Sequence, residues 1–190
     1  YDDQVKLYQD KFLSKDEYNN FRLEIGMHSG THIDTPMHLT KSETFLNEFS
    51  LNRFSGKGIL LDVREENGKI KFKEKYTEMI NKNDIVIIYT KHSKKYGKDD
   101  YYTEHPVLEE KLVDFFIQKN IKMIGMDLPS PDKYPFHIHK KLLSNKIFII
   151  ENLTNLSKLL TIENFEIMAF PLKIRAEASP VRVVARTLDQ

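Results

Sequence analysis

Residues 28–38 read HSGTHIDTPMH and place three of the chain's seven histidines, with one aspartate, inside eleven positions. Imidazole and carboxylate are ligands for divalent cations, and a chain without cysteine has no thiolate to offer instead. A helix would put His28 and His32 on one face, but Gly30, two threonines and Pro36 oppose a helix here. A flat strand would separate the two imidazoles by about 13 Å, too far for one ion with bonds of about 2 Å. The chain must therefore fold back between His28 and His32, and Gly30 permits it. Asp34 stands two residues beyond His32 on the same face and joins the same ion. Two imidazoles and one carboxylate leave an open coordination position, which suits a catalytic ion better than a structural one. His38 follows Pro36 and is either a fourth ligand or an acid/base group. Spacing leaves both roles open.

Such residues need elements to hold them. Ile59–Val63, Ile85–Tyr89, Ile121–Met126 and Ile147–Ile150 are short apolar runs rich in β-branched residues and are expected to be buried strands. Ile167–Leu172 and Val181–Ala185 are two more expected strands. Leu108, Leu112, Phe115 and Phe116 fall at helical spacing within Val107–Asn120, just after Pro106. A weaker helix is expected over Lys73–Asn81 and a short one over Phe136–Ser144. Strands alternating with helices predict an α/β domain, residues 1–190 forming one unit. The polar run at 91–102, KHSKKYGKDDYY, reads as a solvated connection, with His92 a loop histidine.

Composition narrows the classes. With 29 basic and 28 acidic side chains the net charge is +1, which gives nucleic acid or an anionic membrane no electrostatic claim as partner. No apolar run approaches the roughly 18 residues of a membrane span, and no signal peptide is visible, so a cytoplasmic protein is expected.

HSGTHIDTPMH resembles the HxGTHxDxPxH signature of the cyclase-like metal-dependent hydrolases. Their best-known members are bacterial kynurenine formamidases (arylformamidases), with isatin hydrolases as relatives. GMDLPSPD (125–132), HKKLLSNKIFIIENLTNL (139–156) and FPLKIRAEASPVRVVA (170–185) resemble later segments of the same family, so the likeness runs from about Tyr1 to Ala185. The resemblance implies a swivelling β/β/α domain with a mixed sheet, usually a homodimer or higher oligomer. It implies one or two metal ions, zinc or manganese, held by His28, His32, Asp34, His139 and Glu151, with Asp34 as the bridge. His38 then becomes the general acid/base. The reaction implied is hydrolysis of a small amide such as N-formylkynurenine by metal-activated water, a step of tryptophan catabolism. Lactam opening or cyclisation on the same site is the alternative, and a metal-binding protein without catalysis is a third.

Some of these positions also stand on their own. Glu151 ends the strand Ile147–Ile150, a common place for functional groups in α/β domains. His137 shares parity with His139, but the Leu-Leu spacing favours His139. Asp127 either supports a ligand histidine or caps the turn before Pro129. Ser29 reads as a turn residue. The chain departs from the family in having no tryptophan, in Lys91-His92 where relatives show a Thr-Gly-Trp region, and in an N-terminal strand that is shortened or absent.

Overall fold

Four of the expected strands pair side by side as a parallel core, because runs buried on both faces must be apolar at every position. The computed structural model describes residues 4–66 and 68–188. In chain order its strands are β1 (Lys6–Lys11), β2 (Asn20–Glu24), β3 (His32–Asp34), β4 (Ser55–Asp62), β5 (Lys69–Ile70) and β6 (Ile85–Tyr89). There follow β7 (Val107–Leu108), β8 (Met123–Met126), β9 (Phe148–Glu151), β10 (Phe165–Met168), β11 (Ala178–Pro180) and β12 (Val184–Thr187). The helices are α1 (Leu13–Asp16), α2 (Tyr76–Met79), α3 (Asp99–Thr103), α4 (Glu110–Lys119) and α5 (His137–Ser144).

Eight strands make one mixed sheet in the order β11-β3-β9-β8-β6-β4-β10-β12. The central β9, β8, β6 and β4 run parallel, and the flanking pairs are antiparallel. The α/β architecture with a mixed sheet is therefore the one observed. Strand parity divides the core in two. Val86, Ile88, Ile124, Met126 and Ile149 pack with Leu112, Phe116, Leu142 and Leu143 of α4 and α5. Ile85, Ile87, Met123, Phe148 and Ile150 pack on the other face with Leu46, Phe54, Leu153 and Phe165.

Several expected boundaries move for identifiable reasons. The strand expected over Ile167–Leu172 is Phe165–Met168, ending before Pro171, which has no N–H for the ladder. Of the one expected over Val181–Ala185 only Val184 and Ala185 are strand, within β12, while β11 ends just before it at Pro180, which is tolerated because β11 is an edge strand. The helix expected from Val107 starts at Glu110, since Val107 and Leu108 pair with β5. The run at 91–102 is largely exposed, as expected of a surface connection, but it is not irregular. It folds into a 3₁₀ turn, His92–Lys95, and α3, with Tyr101 wholly buried. Its lysines and aspartates face outward and mask the single ring that anchors it. His92 takes part in that anchoring, its Nε2 lying 2.8 Å from the Tyr101 carbonyl oxygen.

Candidate metal centre

β3 is the strand that carries the chemistry. It pairs with β9 so that His32 faces Glu151 and Asp34 faces Ile149. Directly opposed residues share a face, so His32, Asp34 and Glu151 lie on the side of Ile149, where α5 packs. Ile33 points into the opposite core. His139, in the first turn of α5, reaches the same place from above, while His137 is exposed. The site thus sits at the C-terminal ends of β8 and β9, where α/β sheets concentrate function.

The turn before β3 folds back as the spacing requires. Gly30 has φ +63°, and nothing lies within 4 Å of where a Cβ would stand, so the requirement is conformational. Asn152 Nδ2 donates to the Gly30 carbonyl (2.9 Å), and Thr31 Oγ1 donates to the Asn152 carbonyl (2.7 Å), which locks the turn to the end of β9. The rings of His28 and His32 come within 5.1 Å of each other.

Asp34 is central. Its Oδ1 is 2.9 Å from His28 Nδ1 and 3.4 Å from His32 Nε2, and its Oδ2 is 3.1 Å from His139 Nε2. Glu151 closes the far side, with Oε2 3.4 Å from His32 Nε2 and Oε1 3.8 Å from His139 Nε2. His32 Nε2 and Glu151 Oε1 are buried without a well-formed hydrogen bond. Each such atom costs about 1–3 kcal/mol unless something else satisfies it. A divalent cation fits this set, because it would take the inward lone pairs that the protein leaves unpaired. His28, His32 and Asp34 can offer ligand atoms within 4.8 Å of one another, and so can Asp34, His38 and His139.

Electrostatics divide the histidines. Burial opposes charge on His32, but Glu151 and Asp34 outweigh it and raise its pKa to about 9. His28 and His139 are also raised against burial, mainly by Asp34. Burial pushes Glu151 up, with the Asp34 charge adding to it, whereas Asp34 is held low despite burial by His139 and His28. His38 behaves oppositely. Burial, with the neighbouring His28 and His139, lowers it to about 4 against the pull of Asp34. It stands on the 3₁₀ turn Pro36–His38, with its ring 4.1 Å from that of His28 and 5.5 Å from that of His139.

These six residues line one cleft of about 290 Å³, together with Tyr102, Pro129, Ser130, Phe136 and Asn152. Asp127 serves neither expected role. Its Oδ1 accepts from Thr90 N (2.8 Å) and Thr90 Oγ1 (2.7 Å), and its Oδ2 accepts from Ser93 Oγ (3.3 Å), so it fastens the start of the 91–102 segment. The residue under His139 is Asp132, which accepts from the backbone N–H of Ile138 (2.7 Å) and His139 (3.3 Å) at the start of α5. Sequence reasoning also passed over Glu177, whose Oε1 lies 3.1 Å from His28 Nε2 across 149 residues of chain. The only sequence signal for it is its place beside the Ser-Pro-Val-Arg segment.

The cyclase family model matches residues 1–133, well over half of the chain. The chain belongs to the cyclase family. Its matched stretch includes His28, His32, Asp34 and His38, while His139, Glu151 and Glu177 join them only through the fold. This cyclase-family chain is 36% identical over 162 residues to an uncharacterised protein of Methanocaldococcus jannaschii, covering 85% of this chain and 79% of that one. It is 28% identical over 174 residues to the kynurenine formamidase of Bacillus cereus, covering 88% and 79%. Isatin hydrolase A of Labrenzia aggregata shares its fold, with a TM-score of 0.85 at 21% identity over 97% of this chain and 84% of that one. A predicted metal-dependent hydrolase from Bacillus stearothermophilus has a TM-score of 0.76 at 26% identity, covering 96% and 86%. No helix among the described residues is long and apolar enough to cross a membrane.

Proposed function

We propose that this protein is a metal-dependent hydrolase of small amides, with an aryl formamide of the N-formylkynurenine type as substrate. The observation that carries the reading is the convergence of His28, His32, Asp34, His139 and Glu151 at the floor of one cleft, with His38 beside them. The relative from Bacillus cereus, named kynurenine formamidase, supports the substrate class.

His28, His32 and Asp34 would hold one cation, and Asp34, His139 and Glu151 would hold a second. Zinc suits this imidazole and carboxylate set, and manganese accepts the same ligand types. When bound, a divalent cation supplies a Lewis acid and lowers the pKa of water from about 15.7 to about 7. The chain's own contribution to proton transfer is His38. Burial lowers its pKa, so it is the neutral imidazole of the set, the form with a free lone pair to take a proton from attacking water. Returned to the departing nitrogen, that proton releases an aryl amine, and formate is the other product. Tyr102 and Phe136 border the cleft and give a planar ring something to pack on.

A second reading keeps the site and opens a lactam ring. No Lys or Arg lines the cleft among the described residues, so nothing there pairs with the amino-acid carboxylate of N-formylkynurenine. An isatin-type lactam carries no such group. Hydrolysis of N-formylkynurenine and of isatin, each by metal-loaded and chelator-stripped protein, tests both. Turnover of the first that vanishes with the chelator supports the formamidase reading. Turnover of isatin alone moves the assignment to lactams, and loss of both in metal-bearing protein sinks the proposal.

A further inference from the structure

We propose that Glu177 is a positioning residue for the metal centre: its carboxylate holds His28 by Nε2 and so turns Nδ1 towards Asp34. The inference rests on the metal-dependent reading above and adds to it a residue outside the proposed ligands.

His28 lies between two carboxylates. Its Nε2 is 3.1 Å from Glu177 Oε1 and its Nδ1 is 2.9 Å from Asp34 Oδ1. A neutral imidazole carries one proton, and a carboxylate accepts but cannot donate. A proton on Nε2, donated to Glu177, leaves the Nδ1 lone pair facing inward beside Asp34. The other two histidines are oriented the opposite way. His32 Nδ1 donates outward to the Gly30 carbonyl (2.8 Å), and His139 Nδ1 lies 3.4 Å from Ser130 Oγ, so both present Nε2 to the centre. His28 is therefore the inverted member of the set, and the carboxylate behind it is within hydrogen-bond distance, whereas Asp132 Oδ1 stays 3.8 Å from His139 Nδ1. A carboxylate behind a ligand imidazole fixes its tautomer and makes it a stronger base.

The placement of Glu177 is itself built into the sheet. Its carbonyl oxygen accepts from Thr35 N (3.1 Å) and Thr35 Oγ1 (2.7 Å), and its neighbour Ala178 pairs with Asp34 across β11 and β3. The backbone is thus pinned to the strand that carries the central ligand, and the side chain is the part left to act on the site. Replacing the side chain leaves those backbone bonds in place.

The test uses protein labelled with ¹⁵N-histidine and loaded with ¹¹³Cd. Cadmium coupling to Nδ1 of His28, and to Nε2 of His32 and His139, is expected. Glu177→Ala should weaken cadmium binding by about 10–100-fold and Glu177→Gln by less, with circular dichroism unchanged. Coupling to His28 Nε2, or affinity of Glu177→Ala within about twofold of the parent, overturns the assignment. If the Ala variant fails to fold, the coupling pattern of the unaltered protein still decides. A parent protein that binds no cadmium removes the metal reading together with this one.

Discussion

His32 and Glu151 are direct partners across β3 and β9, with His32 Nε2 3.4 Å from Glu151 Oε2. Two side chains 119 positions apart by their numbers meet because one antiparallel register opposes them, and a slip of one residue would send His32 into the opposite apolar core. Glu151→Gln keeps the shape and removes the charge. We expect its metal affinity to fall by more than about 10-fold, roughly 1.4 kcal/mol, in chelator competition. Unchanged affinity would place the ion elsewhere.

His38→Ala separates binding from turnover. General acid–base groups contribute about 10²–10⁴-fold, so kcat should fall within that range. Metal content by elemental analysis should stay at the parent value. Loss of metal along with activity would make His38 a ligand instead.

The metal-free protein should lose stability as pH rises. The folded pKa of His32 is raised from 6.5 to about 9, so its contribution is fully present below pH 6.5 and is lost as pH passes through about 9. Stripped protein should therefore be less stable at pH 9 than at pH 6, by on the order of 1–3 kcal/mol of unfolding free energy, and should melt at a lower temperature. Metal affinity should rise over the same window, because the cation displaces the proton. A flat melting profile for stripped protein would argue against a protonated His32.

Asp127→Ala tests a structural role. The buried Asp127 carboxylate satisfies both the N–H and the hydroxyl of Thr90. Urea unfolding should report a loss of about 1–3 kcal/mol, with metal affinity unaltered. A large fall in affinity would restore the expectation that Asp127 supports a ligand histidine.

Tyr101→Phe probes the tie between the 91–102 segment and the centre. Tyr101 Oη donates to Asn152 Oδ1 (2.7 Å), and Asn152 in turn donates to the Gly30 carbonyl. The variant should lose about 0.5–1.5 kcal/mol and raise KM more than it lowers kcat, since the cleft wall loosens while His38 stays in place. A change in kcat alone would contradict that division.

Much of this molecule is local enough to be read without coordinates. The β6 run Ile85–Tyr89 matches its predicted bounds because a strand buried on both faces has to be apolar throughout. The reversal at Gly30 follows from bond lengths and strand rise, and the sequence determined that His28, His32, Asp34 and His38 form one group. Tertiary structure alone decided the rest. The β3–β9 register brings Glu151 beneath His32, α5 brings His139 over Asp34, and β11 brings Glu177 behind His28. Tyr101 is buried within a run of charge for the same reason. Spacing along a chain limits which residues are able to meet over a few positions, but contacts across a hundred or more depend on which strands pair and in what register. That choice is made by the packing of the whole sheet.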